Sequence, residues 1–166
     1  MEITIRPFQQ SDRDLLIKLM GLFNQYIQSI DDKQRTEYKE GSSEYFVDKM
    51  IVLCDEKAGV IFVACDGEKV IGFVSGYVDE QDIDEKMETI PAIPGVVGEL
   101  FVCEEYRGQK VGKRLLETIE LYLKNKGCSI IRFAVFGPNT IARQFYSRTG
   151  YDERFVYLLK VINWSL

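Results

Sequence analysis

A short basic turn bounded by glycine, RGQKVG (Arg107–Gly112), is the part of the sequence best suited to chemistry. It follows an apolar run typical of a strand, GELFV, and precedes an amphipathic run typical of a helix, VGKRLLETIELYLKN. The first N–H groups of a helix have no partner within it, and the helix dipole is positive at that end. Gly108 would let the backbone approach an anion closely, and Arg107, Lys110 and Lys113 would add positive charge. The turn is therefore expected to bind phosphate; the alternative is an ordinary turn with surface lysines.

The two common nucleotide-binding motifs do not fit this turn. A Walker A loop places four residues between its glycines and follows the lysine with Ser or Thr, whereas Gly108 and Gly112 enclose three residues and Lys113 precedes Arg114. The pattern G-x-G-x-x-G is also absent. If the turn binds an anion, it does so without either of these two nucleotide-binding motifs.

Composition places the protein among ordinary globular domains. The sequence has 166 residues, of which 46% are hydrophobic, and we expect a single domain over residues 1–166. No apolar stretch is long enough to span a membrane, and the first residues do not look like a signal peptide. Four separated cysteines without a C-x-x-C pair favour buried free thiols over disulfides or zinc. We expect a cytoplasmic protein without a metal site.

The absence of histidine and the net charge narrow the function classes further. Without histidine, Ser-His-Asp and Cys-His catalysis are excluded, so carboxylates, tyrosine, lysine, cysteine or water must move protons. The formal net charge of −5 argues against a nucleic-acid partner and favours cationic ones.

The pattern of elements predicts an α/β or α+β protein. A first strand (Ile3 to Arg6) is followed by a helix capped at Ser11 and by a second helix that ends near Asp55. A hairpin turning at Asp66-Gly67, a loop over residues 79–95 and the GELFV strand come next. The helix beginning at Val111, a buried strand over residues 128–136, a helix over residues 139–148 and a last strand, RFVYLLKVI (residues 154–162), complete the order. This order predicts one mixed sheet with helices on both faces.

Two blocks of sequence resemble the GNAT superfamily of acetyl-CoA-dependent N-acetyltransferases. The first has the form L-x-V followed by [QR]-x-x-G-x-[GA], and the second has the form N-x-x-A-x-x-F-Y-x-x-x-G-[FY], here NTIARQFYSRTGY (residues 139–151). One position departs from the pattern, because Lys110 stands where the family has its first motif glycine. This departure is expected to alter the backbone angles of the turn or to leave one amide less well aimed.

The resemblance covers the whole chain and implies both fold and cofactor. It implies a mixed, mostly antiparallel sheet of six to seven strands, splayed at the cofactor site and flanked by about four helices. It also implies that acetyl-CoA binds along the open side of the GELFV strand, with its pyrophosphate in the basic turn. The residues implied to bind the cofactor are Leu100, Phe101, Val102, Arg107, Gly108, Gln109, Lys110, Val111, Gly112, Lys113 and Asn139.

The resemblance also implies roles for two residues. Tyr146 occupies the tyrosine of the F-Y pair, which in the family lies near the sulfur and donates a proton to the departing thiolate; the alternative is packing on the cofactor. Glu99, directly before Leu100, is the candidate general base. Strand alternation leaves open that Glu99 is a solvated carboxylate pointing away from the cleft.

The implied reaction is direct transfer of an acetyl group to a primary amine in a ternary complex, without a metal. Six acids between Asp79 and Glu88 form either a solvated face or a rim that attracts a cationic amine, small or peptidic. No nucleic-acid or membrane partner is expected, and the resemblance is compatible with a homodimer. Two alternatives are a catalytically inactive acyl-CoA-binding module or sensor and a structural protein without cofactor.

Overall fold

A computed structural model describes residues 2–162 of the chain as one central sheet with helices on both faces. The five strands are β1 (Ile3–Pro7), β2 (Val60–Asp66), β3 (Lys69–Val78), β4 (Pro94–Val102) and β5 (Ile130–Arg132). The five α-helices are α1 (Arg13–Ser29), α2 (Ser42–Glu56), α3 (Ile83–Glu88), α4 (Val111–Asn125) and α5 (Thr140–Arg148). No helix in this range has the length and apolar character needed to cross a membrane.

The sheet is mixed and mostly antiparallel, as expected, with its strands side by side in chain order. The pairs β1–β2, β2–β3 and β3–β4 are antiparallel, whereas β4 and β5 are parallel. The predicted hairpin joins β2 to β3, and Gly67 has a φ of 59° there, a left-handed conformation that glycine adopts without a steric penalty.

Two cores lie on opposite faces of the sheet. On one face, α1 and α2 bury residues such as Leu16 and Val47 against Val63 and Phe73. On the other face, α4 buries its apolar stripe, which includes Leu115, against the sheet. The stripe predicted from three- and four-residue spacing therefore faces the sheet, and the three-layer expectation is confirmed.

Three details of the predicted fold were wrong. The sheet has five strands, not six to seven, and five α-helices, not about four, flank it. The additional helix α3 lies in the segment predicted as a loop, where Asp82 and Glu85 form a capping box: each side chain accepts the other residue's backbone N–H. The D-x-x-E pattern was the sequence signal for this helix.

The missing strands have a physical cause. The predicted strand over residues 128–136 pairs only at Ile130–Arg132, because β4 carries a bulge further along, and a bulged strand bends. The predicted last strand, residues 154–162, lies apart from the sheet and pairs with no other strand in the described range. Its aromatic, aliphatic and β-branched residues favoured a strand, but a strand also needs a neighbour, and this prediction was wrong.

Candidate active site

The expected anion-binding turn lies at the start of α4. Within the described part of the chain, the backbone N–H groups of residues 108–113 have no hydrogen-bond acceptor; the first helical bond here runs from the Arg114 N–H to the Lys110 carbonyl. Six successive donors therefore remain for an external anion. The structure brings together the donors that the sequence pattern predicted.

Lys110 has a left-handed backbone conformation in this turn. It has a φ of 64° and a ψ of 8°, the left-handed conformation that a glycine would adopt freely, and Gly108 has a φ of 77°. Side chains in this conformation cost roughly 1–2 kcal/mol per residue. Lys110 thus keeps a glycine-like backbone and adds a positive charge directly before the helix.

Arg107 acts differently from the other basic residues of the turn. Its Nε donates a hydrogen bond to the Val102 carbonyl at 3.1 Å, and its guanidinium lies over the rings of Tyr26 and Phe101, 5.2 and 5.9 Å from their centroids. This side chain braces the turn against β4 and α1. Cationic reach towards an anion is therefore left to Lys110 and to Lys113, which lies 3.6 Å from Glu117.

Asn139 is joined to the same group of residues. Its Oδ1 caps α5 by accepting the Ala142 N–H at 3.1 Å and also accepts the Tyr26 hydroxyl at 3.2 Å. Because the Tyr26 ring lies against Arg107, the start of α5 is linked through α1 to the anion-binding turn. Asn139 is therefore first of all a helix cap, and its 9% exposure leaves only part of the amide accessible.

The strand before the turn has an open side. β4 pairs with β5 only over Pro94–Val96, so its remaining residues have a strand neighbour only on the β3 side. Phe101 and Val102 are buried and Leu100 is half-buried, each packed in one of the two cores. These three residues can therefore meet a ligand mainly through their backbone groups.

A bulge in β4 sets the position of Glu99. Val74 pairs with Leu100 and Gly76 with Val97, so that two residues of β4, Gly98 and Glu99, face Ser75 alone. The Ser75 Oγ accepts the Glu99 N–H at 3.1 Å. A Cβ on Gly98 would lie 2.5 Å from the same oxygen, so a side chain there would displace the Ser75 hydroxyl that holds the Glu99 N–H.

Glu99 lies where β4 has parted from β5, an opening here called the cleft, and its side chain is not an exposed strand carboxylate. It is half-buried, and this burial raises its pKa. Its charge raises the pKa values of two phenols, Tyr146 and Tyr38, which places both near it. A carboxylate with a raised pKa is a better proton acceptor than an exposed one, provided that the pH is high enough to ionise it.

Tyr146 lies on α5 and borders this cleft from the β5 side. Its ring packs against Phe133, which follows β5, at a centroid distance of 4.1 Å, and against Phe145 at 5.1 Å. Burial, followed by the charge of Glu99, raises the pKa of Tyr146 to about 12. The phenol therefore stays protonated at any physiological pH and can donate a hydrogen bond into the cleft.

Tyr38 is a second phenol whose pKa is raised by burial and by the charge of Glu99, and it was not recognised from the sequence. It lies in the loop between α1 and α2, and burial is the main cause of its raised pKa. Asp31 orders this loop by accepting the N–H groups of Lys33, Arg35 and Thr36. No local motif marks Tyr38, because its position depends on how a long loop folds across the sheet.

The predicted acidic rim is only partly free. Asp79 pairs with Lys57 at 2.7 Å and with Arg132 at 3.1 Å, and Glu85 pairs with Arg132 as well. These pairs attach α3 to the ends of β3 and β5. The exposed acids of this segment are Glu80, Asp82, Asp84 and Glu88. No group of three or more metal-ligating side chains occurs among the residues that the structure describes.

Comparison with known proteins identifies the class of protein. Residues 27–151 match the acetyltransferase (GNAT) family, and the chain belongs to this family. It is therefore an enzyme, an acetyl-CoA-dependent acyltransferase.

The sequence identity to individual known proteins is low. An uncharacterised N-acetyltransferase of Archaeoglobus fulgidus is 28% identical over 139 residues, which cover 84% of this chain and 88% of its own. N-alpha-acetyltransferase 30 of Schizosaccharomyces pombe is 25% identical over 136 residues, covering 82% of this chain and 84% of that protein. The structure of AAC(6')-Iy with a bisubstrate analogue, CoA-S-monomethyl-acetylneamine, has a TM-score of 0.70 at 15% identity, over 98% and 100% of the two chains, and shows the fold alone.

Proposed function

We propose that this protein transfers the acetyl group of acetyl-CoA directly to a primary amine while both substrates are bound. One observation supports this proposal: burial raises the pKa of both Glu99 and Tyr146, the charge of Glu99 further raises that of Tyr146, and Glu99 lies where β4 loses its neighbour. Three strand residues, Leu100 to Val102, span roughly 10 Å from Glu99 to the end of β4, and the short helical turn Glu104–Tyr106 leads from there to the anion-binding turn. A ligand that reaches from the turn to the cleft along β4 would bring its far end to these two side chains.

The residues at the site fit acetyl-CoA. The unpartnered amides of residues 108–113, with Lys110 and Lys113, suit a pyrophosphate. The open side of β4 at Leu100–Val102 suits the amides of an extended arm, which would pair with it as a further strand does. Asn139 would contact that arm from the start of α5. Bound acetyl-CoA supplies an activated acetyl group held as a thioester.

The protein must handle two protons. An amine with a pKa near ~10.4 is deprotonated at pH 7 at a cost of about 4.6 kcal/mol, and Glu99 is the group that would accept this proton or one relayed by water. The Tyr146 phenol would donate to the departing sulfur. The pKa of Tyr146 lies above that of a free thiol, which is near ~8.5. Burial also destabilises a thiolate and so raises the pKa of the thiol, which makes the difference between the two pKa values smaller.

We infer that the acceptor is a cationic amine. The exposed acids Asp84 and Glu88 belong to α3, and Glu80 lies just before this helix. The helix precedes β4, at the end of that strand away from the anion-binding turn. An acceptor could enter the cleft there, opposite the cofactor. Negative charge there would raise the local concentration of an ammonium group. The names of two relatives, N-alpha-acetyltransferase 30 and AAC(6')-Iy, leave open whether that amine belongs to a peptide or to a small molecule.

We further propose a cytoplasmic enzyme formed by one domain over residues 1–166. All four cysteines are free thiols, three of them buried, which suits a reducing compartment. The net charge of −5 argues against a nucleic-acid partner.

The direct test is release of free CoA from acetyl-CoA across a panel of polyamines, aminoglycosides, amino acids and peptide N-termini. We expect release with at least one amine class and a kcat/KM that falls as salt is added. Calorimetric binding of acetyl-CoA with no release across the panel would contradict the proposal and favour a binding module. Turnover that is insensitive to salt would contradict only the proposal that the acidic residues attract a cationic amine.

A further inference from the structure

Tyr26, on α1, contacts two parts of the site that are far apart in the sequence. Its hydroxyl donates to the Asn139 Oδ1 at 3.2 Å, and its ring lies against the guanidinium of Arg107, 5.2 Å from the ring centroid. Arg107 is held in turn by its bond to the Val102 carbonyl. One half-buried side chain therefore connects the anion-binding turn with the residue that caps α5.

The bond to Tyr26 is the one directional attachment of α5 and its cap. Among the described residues, all other hydrogen bonds of residues 139–148 stay within residues 136–153. The helix has no buried residue of its own, although Phe145 and Tyr146 pack against the core beneath α4. Apolar packing is not directional, so the hydrogen bond at Asn139 fixes how the start of α5 is oriented.

The two hydrogen bonds of Asn139 determine which way its amide points. The Ala142 N–H can only donate, so the atom that it meets at 3.1 Å must be the amide oxygen. The Tyr26 hydroxyl donates to the same oxygen and occupies its second acceptor position. The oxygen is therefore saturated, and the Nδ2 group, with its two N–H donors, is the part of the amide that remains for a ligand.

The Nδ2 group of Asn139 is accessible. It has no hydrogen-bond partner among the described residues, and no fully buried side-chain nitrogen or oxygen in that range lacks a partner, so this nitrogen reaches solvent. A group that offers only donors binds a carbonyl oxygen. The pantetheine arm of CoA carries amide carbonyls, whereas the phosphates and ribose of its nucleotide half carry none.

We propose that Tyr26 is a positioning residue, which holds the Asn139 amide with its N–H donors towards the carbonyls of the pantetheine arm. This inference rests on the proposed binding of acetyl-CoA at this site. The ring of Tyr26 has a separate role, since it supports Arg107 at the anion-binding turn. Loss of the hydroxyl should therefore affect binding of the arm alone, whereas loss of the ring should also affect binding of the pyrophosphate.

Calorimetry with two ligands separates these roles. The ligands are CoA and 3′-phospho-ADP, which is CoA without its pantetheine arm. Tyr26→Phe removes only the hydroxyl, so we expect CoA to bind about 3–10-fold more weakly, as for one ordinary hydrogen bond, and 3′-phospho-ADP to bind as before. Tyr26→Leu also removes the ring and should weaken both ligands. Tyr45→Phe is the matched control, because Tyr45 is 62% exposed on α2 and should change neither affinity.

Asn139→Asp tests the amide itself. The new carboxylate keeps an oxygen for the Ala142 N–H and for the Tyr26 hydroxyl, so the helix cap and the Tm should be retained, but the N–H donors are lost. We expect this variant to lose the preference for CoA over 3′-phospho-ADP. Tyr26→Phe added to it should cause no further loss, because the hydroxyl acts through the amide.

The contrary outcomes can be told apart. Equal weakening of both ligands in Tyr26→Phe would mean that the hydroxyl only supports the fold, and an unchanged preference for CoA in that variant would mean that it does not position the amide. Either result would overturn the role of Tyr26 and leave the proposed function standing. A wild-type chain without a preference for CoA over 3′-phospho-ADP would overturn the role of Tyr26 together with the proposed placement of the cofactor.

Discussion

Two regions of this molecule are built in opposite ways. Residues 2–125, the body, contain every hydrophobic residue that is buried in the described structure, from Leu16 to Leu123. Residues 126–162, the C-terminal region, contain β5, α5 and the exposed segment over residues 154–162, and in them only Asn139 is buried. The body supplies Glu99 and the anion-binding turn, whereas the C-terminal region supplies Tyr146.

This difference indicates that stability and catalysis depend on different parts of the molecule. The free energy of folding comes mainly from buried apolar area, which lies in the body. The cleft lies along the boundary, where β4 and β5 part after Val96 and Arg132. Changes in the core should therefore unfold the protein, while changes at the boundary should reduce turnover and leave the fold intact.

The largest expected effect is on stability, from truncation in the body. Leu115 is fully buried beneath α4, and Leu115→Ala should lower the free energy of unfolding by about 2–5 kcal/mol. Denaturation in urea measures this change. Leu121→Ala on the same helix is the control, because Leu121 is 59% exposed and should change stability by less than about 0.5 kcal/mol. Equal losses would contradict the location of the core.

The next effect is on turnover, from the C-terminal region. Tyr146→Phe removes the phenolic donor and keeps the ring packed on Phe133, so kcat should fall about 100–1,000-fold with little change in KM for acetyl-CoA or in Tm. Steady-state kinetics and a thermal melt measure these quantities. Tyr157→Phe, at an exposed position, is the control. Unchanged turnover in Tyr146→Phe would rule out its role as the acid.

Glu99 should make both turnover and stability depend on pH. Because burial raises its pKa, the wild-type kcat/KM should fall as pH drops through that raised value, and Glu99→Gln should lose this acid limb with about a 100-fold lower plateau. The folded state binds more protons than the unfolded state between the ordinary and the raised pKa, so stability falls as pH rises through that window. Glu99→Gln should therefore raise Tm at neutral pH, and the gain should vanish in acid. A neutral-pH Tm that does not rise would show that Glu99 is not desolvated.

The smallest effect expected is at Lys110, where backbone shape and charge can be separated. Lys110→Asn keeps a residue that tolerates a φ of 64° and removes the charge, whereas Lys110→Val is a β-branched residue that resists this conformation. We expect Lys110→Val to lose about 1–2 kcal/mol more stability than Lys110→Asn. Calorimetry should show that both variants bind CoA more weakly, Lys110→Val the more so. Equal affinity in the two variants would mean that charge alone matters there.

The sequence was most informative where local rules decide the structure. The stripe of α4, the hairpin at Asp66-Gly67 and the unpartnered amides of residues 108–113 all follow from short-range patterns. The capping box of α3 was equally local and was overlooked.

Long-range features could not be predicted in the same way. The side chain of Glu99 faces the cleft because of a bulge opposite Ser75, and a shift of pairing by one residue is not visible in either strand alone. Tyr38 reaches the cleft through a loop without a motif. Residues 154–162 have the composition of a strand, but whether they pair depends on a neighbouring strand that is distant in sequence.

A crystal structure of the complex with CoA tests the central claim most directly. We expect the pyrophosphate to lie within hydrogen-bond distance of the amides of residues 108–113, and the sulfur to lie beside Tyr146 in the cleft that also contains Glu99. A pyrophosphate bound elsewhere, or a sulfur on the opposite face of the sheet from Tyr146, would contradict the account.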